Sequence, residues 1–115
     1  MSDPIREMQI RVCMRFGAKP KECPPGLKVG ISRNIRDGIL PITGQRCKPV
    51  GDTTGWYIWA GDHSDDVDFY NPLHVAHLAE WCPTVLPYLL LPPGWCFQIA
   101  PGYEDVWFDS TVLVE

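Results

Sequence analysis

The chain lacks basic residues over more than half of its length: no Lys or Arg follows Lys48. All ten lie between Arg6 and Lys48, beside three acids, whereas the residues after Lys48 carry ten acids. A stretch so uniformly negative repels nucleic acid and anionic membranes and attracts a basic protein. Folding of the two parts onto one another would offset much of this charge. Long apolar runs are also missing. The longest candidate, around Val85 to Leu91, is broken by Pro87 and falls short of the roughly 18 residues that a bilayer span requires. The first residues, Met-Ser-Asp-Pro-Ile-Arg-Glu, lack the basic-then-apolar shape of a secretory leader. A cytoplasmic protein is expected, with no nucleic-acid or membrane partner.

Paired cysteines are absent as well. Cys13, Cys23, Cys47, Cys82 and Cys96 are odd in number, widely spaced and without a C-x-x-C pair. That argues against a disulfide framework and against a structural zinc site. Five reduced thiols, mostly acting as small buried hydrophobes, are expected. No H-E-x-x-H, G-x-S-x-G, P-loop or G-x-G-x-x-G is present, so neither an enzyme nor a cofactor is expected. There is no repeat, low-complexity tract or linker. With 45% apolar and 21% charged residues, residues 1–115 read as one soluble α+β domain.

What is present centres on Thr53 to Tyr70. Gly55 to Ala60 is apolar throughout and rich in aromatic and β-branched side chains, as in a strand. Alternation puts Trp56 and Ile58 on one face and Tyr57 and Trp59 on the other. Both faces are bulky, so a central strand covered on both sides is expected. Gly61 and Asp62 stop it, and Asp62, Asp65, Asp66 and Asp68 follow within seven residues.

Asp3-Pro4 is a helix start and Gly17 a helix stop, predicting a helix from about Pro4 to Arg15 with a stripe of Ile5, Met8, Val12 and Phe16. Gln9 to Phe16 also fits an alternating strand. Leu27 to Ile35 and Ile39 to Ile42 read as strands. Asn71-Pro72 repeats the cap-plus-proline signal and predicts a helix ended by Pro83, which opens a second helical segment to about Leu91. Trp95 to Ala100 and Asp105 to Phe108 read as strands on either side of the Pro101-Gly102 turn. The expected architecture is a small, mostly antiparallel sheet, with an N-terminal helix and a central helix pair packed on it.

His63, His74 and His77 with the acidic loop form the only constellation suggestive of metal or acid–base chemistry, and His74 and His77 would share a helix face. The calcium-loop pattern fails, because the sixth and twelfth positions from Asp62 are Val67 and Leu73 where Gly and Glu are needed. Neither a catalytic nor a metal site is therefore assigned. The protein-binding candidates are Trp59, Asp62, Asp65, Asp66, Asp68, Phe69, Tyr103, Glu104 and Asp105, aromatic anchors among carboxylates. The plainer alternative is that these aromatics only pack beneath their loops.

Ile31-Ser32-Arg33 with Asn34, Gly55-Trp56 running through Ala60-Gly61-Asp62, Pro87-Tyr88-Leu89, and Pro93-Gly94 resemble the immunity-protein-33-like domain, over about Val29 to Trp107. The resemblance implies a small α+β protein from bacterial polymorphic-toxin or secretion-system loci that binds a cognate toxin and blocks it. With the acidic loop, it points to a toxin bearing a basic surface. An adaptor module and a small metal-dependent hydrolase using the histidines are the alternatives.

Overall fold

The computed structural model of the chain describes residues 3–66 and 68–113. Helix α1 spans Pro4–Phe16. The Asp3 carboxylate caps it, accepting from the Ile5 and Arg6 amides at 3.0 and 3.3 Å, and Gly17, at φ 74°, ends it in the left-handed region that glycine adopts without strain. The stripe that packs inward is Gln9, Val12, Cys13 and Phe16: Val12 and Cys13 are buried, and Gln9 donates to the Leu86 carbonyl. Ile5 and Met8, expected inside, are exposed, because the helix is rolled toward the cysteine side of its apolar stripe.

Six strands follow: β1 (Lys28–Ser32), β2 (Ile42–Arg46), β3 (Thr53–Ala60), β4 (Tyr70–His74), β5 (Trp95–Ala100) and β6 (Tyr103–Phe108). They form one sheet in the order β4-β1-β3-β2-β5-β6. Only β1 and β3 run parallel, and every other pair is antiparallel. The α+β architecture with a mostly antiparallel sheet is therefore as expected.

One face of the sheet is the core. Val29, Ile31, Ile42, Trp56, Ile58, Ala60, Phe97 and Ile99 point into it, against Val12, Cys13, Leu78, Val85 and Tyr88 to Leu91. Gly44 has no side chain because the Phe97 ring occupies that place: a Cβ there would lie 2.2 Å from Phe97 Cε2. Phe97 can thus pack between Trp56 and Tyr88, with ring centroids 5.4 and 4.8 Å away. Arg46, 1% exposed, is the one buried charged residue among the described residues. Its guanidinium donates to the carbonyls of Thr54, Lys21, Glu22, Leu89 and Leu91. Burial lowers its pKa, but a guanidinium stays charged in proteins.

Among the described residues no helical layer covers the opposite face, yet Ser32, Thr43, Trp59 and Cys96 on it are buried. Tyr57 is 42% exposed, so the expectation that β3 is covered on both sides fails at Tyr57 and holds at Trp59. Trp59 is buried, at 7%, beneath the loop that follows its own strand. The expected helix at Asn71-Pro72 is likewise replaced by β4, an edge strand where proline's missing N–H costs no ladder bond. A 3-10 turn, Val75–His77, leads to α2, Leu78–Trp81, and Pro83–Tyr88 is again 3-10. The central helix pair is thus one short α-helix and two 3-10 segments. The second strand begins where Ile39 to Ile42 was expected to end.

Candidate protein-docking surface

Strand register fixes which side chains the face opposite the core carries, of which Ser32, Thr43, Trp59 and Cys96 are buried. One row runs Tyr70, Ser32, then Trp59, Thr43, Gln98 and Asp105, and the next runs Pro72, Gly30, Tyr57, Gln45, Cys96 and Trp107. Tyr103 OH donates to Gln98 Oε1 at 3.5 Å, and Gln98 Nε2 donates to Thr43 Oγ1 at 3.2 Å. This aromatic and amide surface, together with the acidic loop at the end of β3, is where a partner finds side chains not already committed to the core.

The loop leaves β3 through Gly61, whose N–H donates to the Pro41 carbonyl and whose φ is 70°. Its two ends are held by the Ile31-Ser32-Arg33-Asn34 segment. Ser32 Oγ accepts from the Ala60 amide at 3.1 Å and donates to Asn34 Oδ1 at 2.6 Å, while Asn34 Nδ2 donates to the Ala60 carbonyl at 3.2 Å. The Arg33 amide donates to the Phe69 carbonyl at 3.2 Å. These polar side chains serve a chain reversal next to the sheet.

Between its ends the loop returns its own aromatics onto the strand. The His63 ring lies 5.0 Å from Trp59 and 5.8 Å from Phe69, and Phe69 lies 4.9 Å from Tyr70, all edge-on, a favoured aromatic geometry. Local turns order the rest: the Asp66 amide donates to Ser64 Oγ, and the Asp68 amide to Asp66 Oδ1 at 2.9 Å. Asp62, Asp65, Asp66 and Asp68 are all exposed. Among the described residues none of the four forms an ion pair with Lys or Arg; Asp65 lies 3.8 Å from His63 Nδ1.

Of the sequence-derived candidates, Trp59, Asp62, Asp65, Asp66, Asp68 and Phe69 come together in this way. Tyr103 and Asp105 share the same face but stand three strand spacings from Trp59, about 14 Å away. Glu104 does not belong with them. It points to the core side, where both its oxygens meet the Arg15 guanidinium at 3.0 Å and the Tyr88 hydroxyl donates to it at 2.5 Å. The Arg15 bonds hold its carboxyl below the usual range, burial opposes them, and the Tyr88 bond adds to the lowering. Strand alternation alone separates Glu104 from Asp105. The same rule picks out Tyr57 and Gln98 as open-face residues, which their composition did not suggest. Beside Tyr57 a cavity of about 330 Å³ is lined by Lys28, Gly30, Gly55, Tyr70 and Pro72.

His74 and His77 do not share a helix face. They sit at the end of β4 and in the turn after it, ring centroids 6.2 Å apart. Among the described residues no group of three or more His, Cys, Asp or Glu is placed to hold a metal ion. Burial pushes up all five thiols, Cys23 to about 11 and Cys96 to about 12, the opposite of what a nucleophilic cysteine needs. No helix is long and apolar enough to cross a membrane among the described residues. The family model of the Imm33-like domain matches residues 8–109. No curated protein and no solved structure matches the chain.

Proposed function

We propose that this chain, which belongs to the Imm33-like domain family, is an immunity protein that binds a cognate toxin and neutralises it by stoichiometric occlusion. The observation that carries the reading beyond the family is the acidic loop. Its four aspartates are exposed, have no Lys or Arg partner among the described residues, and stand on a cluster of rings packed edge to face. Occlusion needs no bond-making by the inhibitor, only a surface that fits and excludes substrate. Rigid aromatics under a charged rim supply contact area at low entropic cost, and the charge accelerates encounter with a basic target.

The test begins with the toxin that co-purifies with the tagged chain from its native host. Its activity is titrated with purified wild type and with the D65K/D66K/D68K variant, at low and high salt. The aspartates are exposed, so each replacement should shift stability by only about 0.5 kcal/mol, and the variant stays folded. Wild type should abolish toxin activity at one chain per toxin, more weakly as salt rises. The variant should associate more slowly, with a deficit that shrinks at high salt. Equal inhibition by two folded proteins would remove the loop from the interface, and an uninhibited toxin would remove the function.

A further inference from the structure

One end of the sheet gathers the acidic loop after β3, the segment that precedes β2 and the Pro101-Gly102 turn between β5 and β6. The segment before β2, Ile39-Leu40-Pro41, is fastened to the root of the acidic loop. The Pro41 carbonyl accepts from the Gly61 amide at 2.9 Å. Ile39 lies on Gly61, where a Cβ would stand 2.7 Å from Ile39 Cγ2. Asp62 is thus tied to the segment that carries Leu40.

Beside Leu40 lies an open cavity of about 380 Å³. Buried Ile42, Tyr88 and Ile99 form its floor, and exposed Leu40, Pro101 and Tyr103 form its rim. No described residue of its lining is charged. The Tyr88 hydroxyl is already engaged by Glu104 and the Tyr103 hydroxyl by Gln98. Leu40 and Tyr103 are nevertheless 50% and 49% exposed. A recess of this kind has room for one large aliphatic or aromatic side chain, which would take the floor and rim out of water.

Charge decides what kind of chain brings that side chain. Ile42 stands between Ala60 and Ile99 in the ladder. The floor therefore begins one strand spacing, about 5 Å, from the strand that ends in the acidic loop. Exposed carboxylates at this end are Asp37, Asp62, Asp65, Asp66 and Asp68, while Glu104, next to Tyr103, is held by Arg15. The cations of the same connection are Arg33 and Arg36, and Arg36 lies over the Trp81 ring, 4.5 Å from its centroid. An apolar recess beside an excess of negative charge selects the complementary pairing, an apolar side chain followed by Lys or Arg. Two to three residues of extended chain cover about 7–10 Å, enough to pass from the recess to the loop.

We propose that this cavity is the anchor point for the partner of the acidic loop, taking one large apolar side chain from a segment whose next residues are basic. That the partner is a toxin rests on the reading above; the chemistry of the segment does not.

The probe is a synthetic peptide, acetyl-Gly-Leu-Gly-Lys-Lys-amide, titrated into the isotope-labelled chain to about 5 mM and followed by NMR. The Leu40, Ile99 and Tyr103 amides should shift together with that of Asp62. Serine for the peptide's leucine, or glutamate for its lysines, should weaken binding at least about tenfold. The variant L40S/Y103S changes two exposed side chains; it should stay folded by circular dichroism and bind the leucine peptide at least about tenfold more weakly. A leucine peptide that leaves Leu40 and Ile99 unshifted, or that binds L40S/Y103S as well as wild type, overturns the proposal. With the co-purified toxin, L40S/Y103S should dissociate at least about tenfold faster, while its association keeps the salt dependence of wild type. An unchanged dissociation rate, with inhibition by wild type intact, overturns the anchor and leaves the immunity reading standing. A toxin that wild type leaves active overturns that reading and not the cavity, which the peptide decides.

Discussion

Arg46→Met removes a buried charge from the interior while keeping much of the volume. Its guanidinium bonds are short, 2.7 Å to the Glu22 carbonyl, 2.9 Å to Leu91 and 3.0 Å to Thr54, with Lys21 and Leu89 both at 3.1 Å. The five carbonyls do not suffer alike when the donor goes. Leu89 keeps the Trp56 indole N–H at 3.0 Å. Lys21 and Glu22 lie in exposed chain and can turn to water. Thr54 and Leu91 are inside and lose this donor outright, at about 1–3 kcal/mol each. Removing a buried charge with no carboxylate partner gives some of that back. The balance is a loss of about 3 kcal/mol, a sizeable part of the roughly 5–15 kcal/mol that holds a domain together. With a urea slope of about 1–3 kcal/mol per molar, the midpoint should fall by at least about 1 M. Native-state hydrogen exchange should also show the Lys21 amide, bonded to the Leu90 carbonyl at 2.8 Å, losing protection beyond the global loss. A midpoint within about 0.3 M of wild type would mean that the five bonds do not hold this loop to the sheet, and the reasoning would fall.

Trp56→Ala should cost about 3–5 kcal/mol, since the ring is 1% exposed and its indole bond to Leu89 goes with it; a melting temperature within a couple of degrees of wild type would contradict the core assignment. Glu104 sets a pH dependence. Its folded pKa is lowered, chiefly by Arg15, so its contribution is complete above the unfolded value of about 4.3 and is lost as pH falls through the lower folded value. Glu104→Gln should therefore be less stable than wild type at neutral pH, and the gap should close in acid denaturation curves. A gap that stays constant with pH would remove the ion pair from the explanation.

The sequence was most legible where local signals and packing agree. Trp95–Ala100 alternates between two proline-glycine turns, and it is a strand over those same residues. Asp3-Pro4 and Gly17 mark α1 because capping is a local matter. Asn71-Pro72 misleads for a physical reason: a cap residue followed by proline suits a helix start, but it also suits an edge strand, and only the neighbouring Gly30 and Val29 decide. The aromatic and acidic loop was found from its composition. Its clamps, Ser32 and Asn34, stand at the polar end of the strand expected over Leu27 to Ile35, and no local pattern says that they will reach the Ala60 main chain. Arg46 was invisible, because nothing around it in the sequence distinguishes a buried guanidinium from a solvated one.

The clamps at Ser32, Arg33 and Asn34 divide the chain's mutational latitude. They bind the ends of the loop through main-chain atoms of Ala60 and Phe69, whatever side chains lie between. Substitutions at Asp62, Asp65, Asp66 and Asp68 should shift stability by less than about 0.5 kcal/mol, whereas the frame tolerates little. A lineage can therefore rewrite the charge and shape of this segment in single steps, each leaving a folded protein. Change in what the loop meets need not wait for change in how the chain folds.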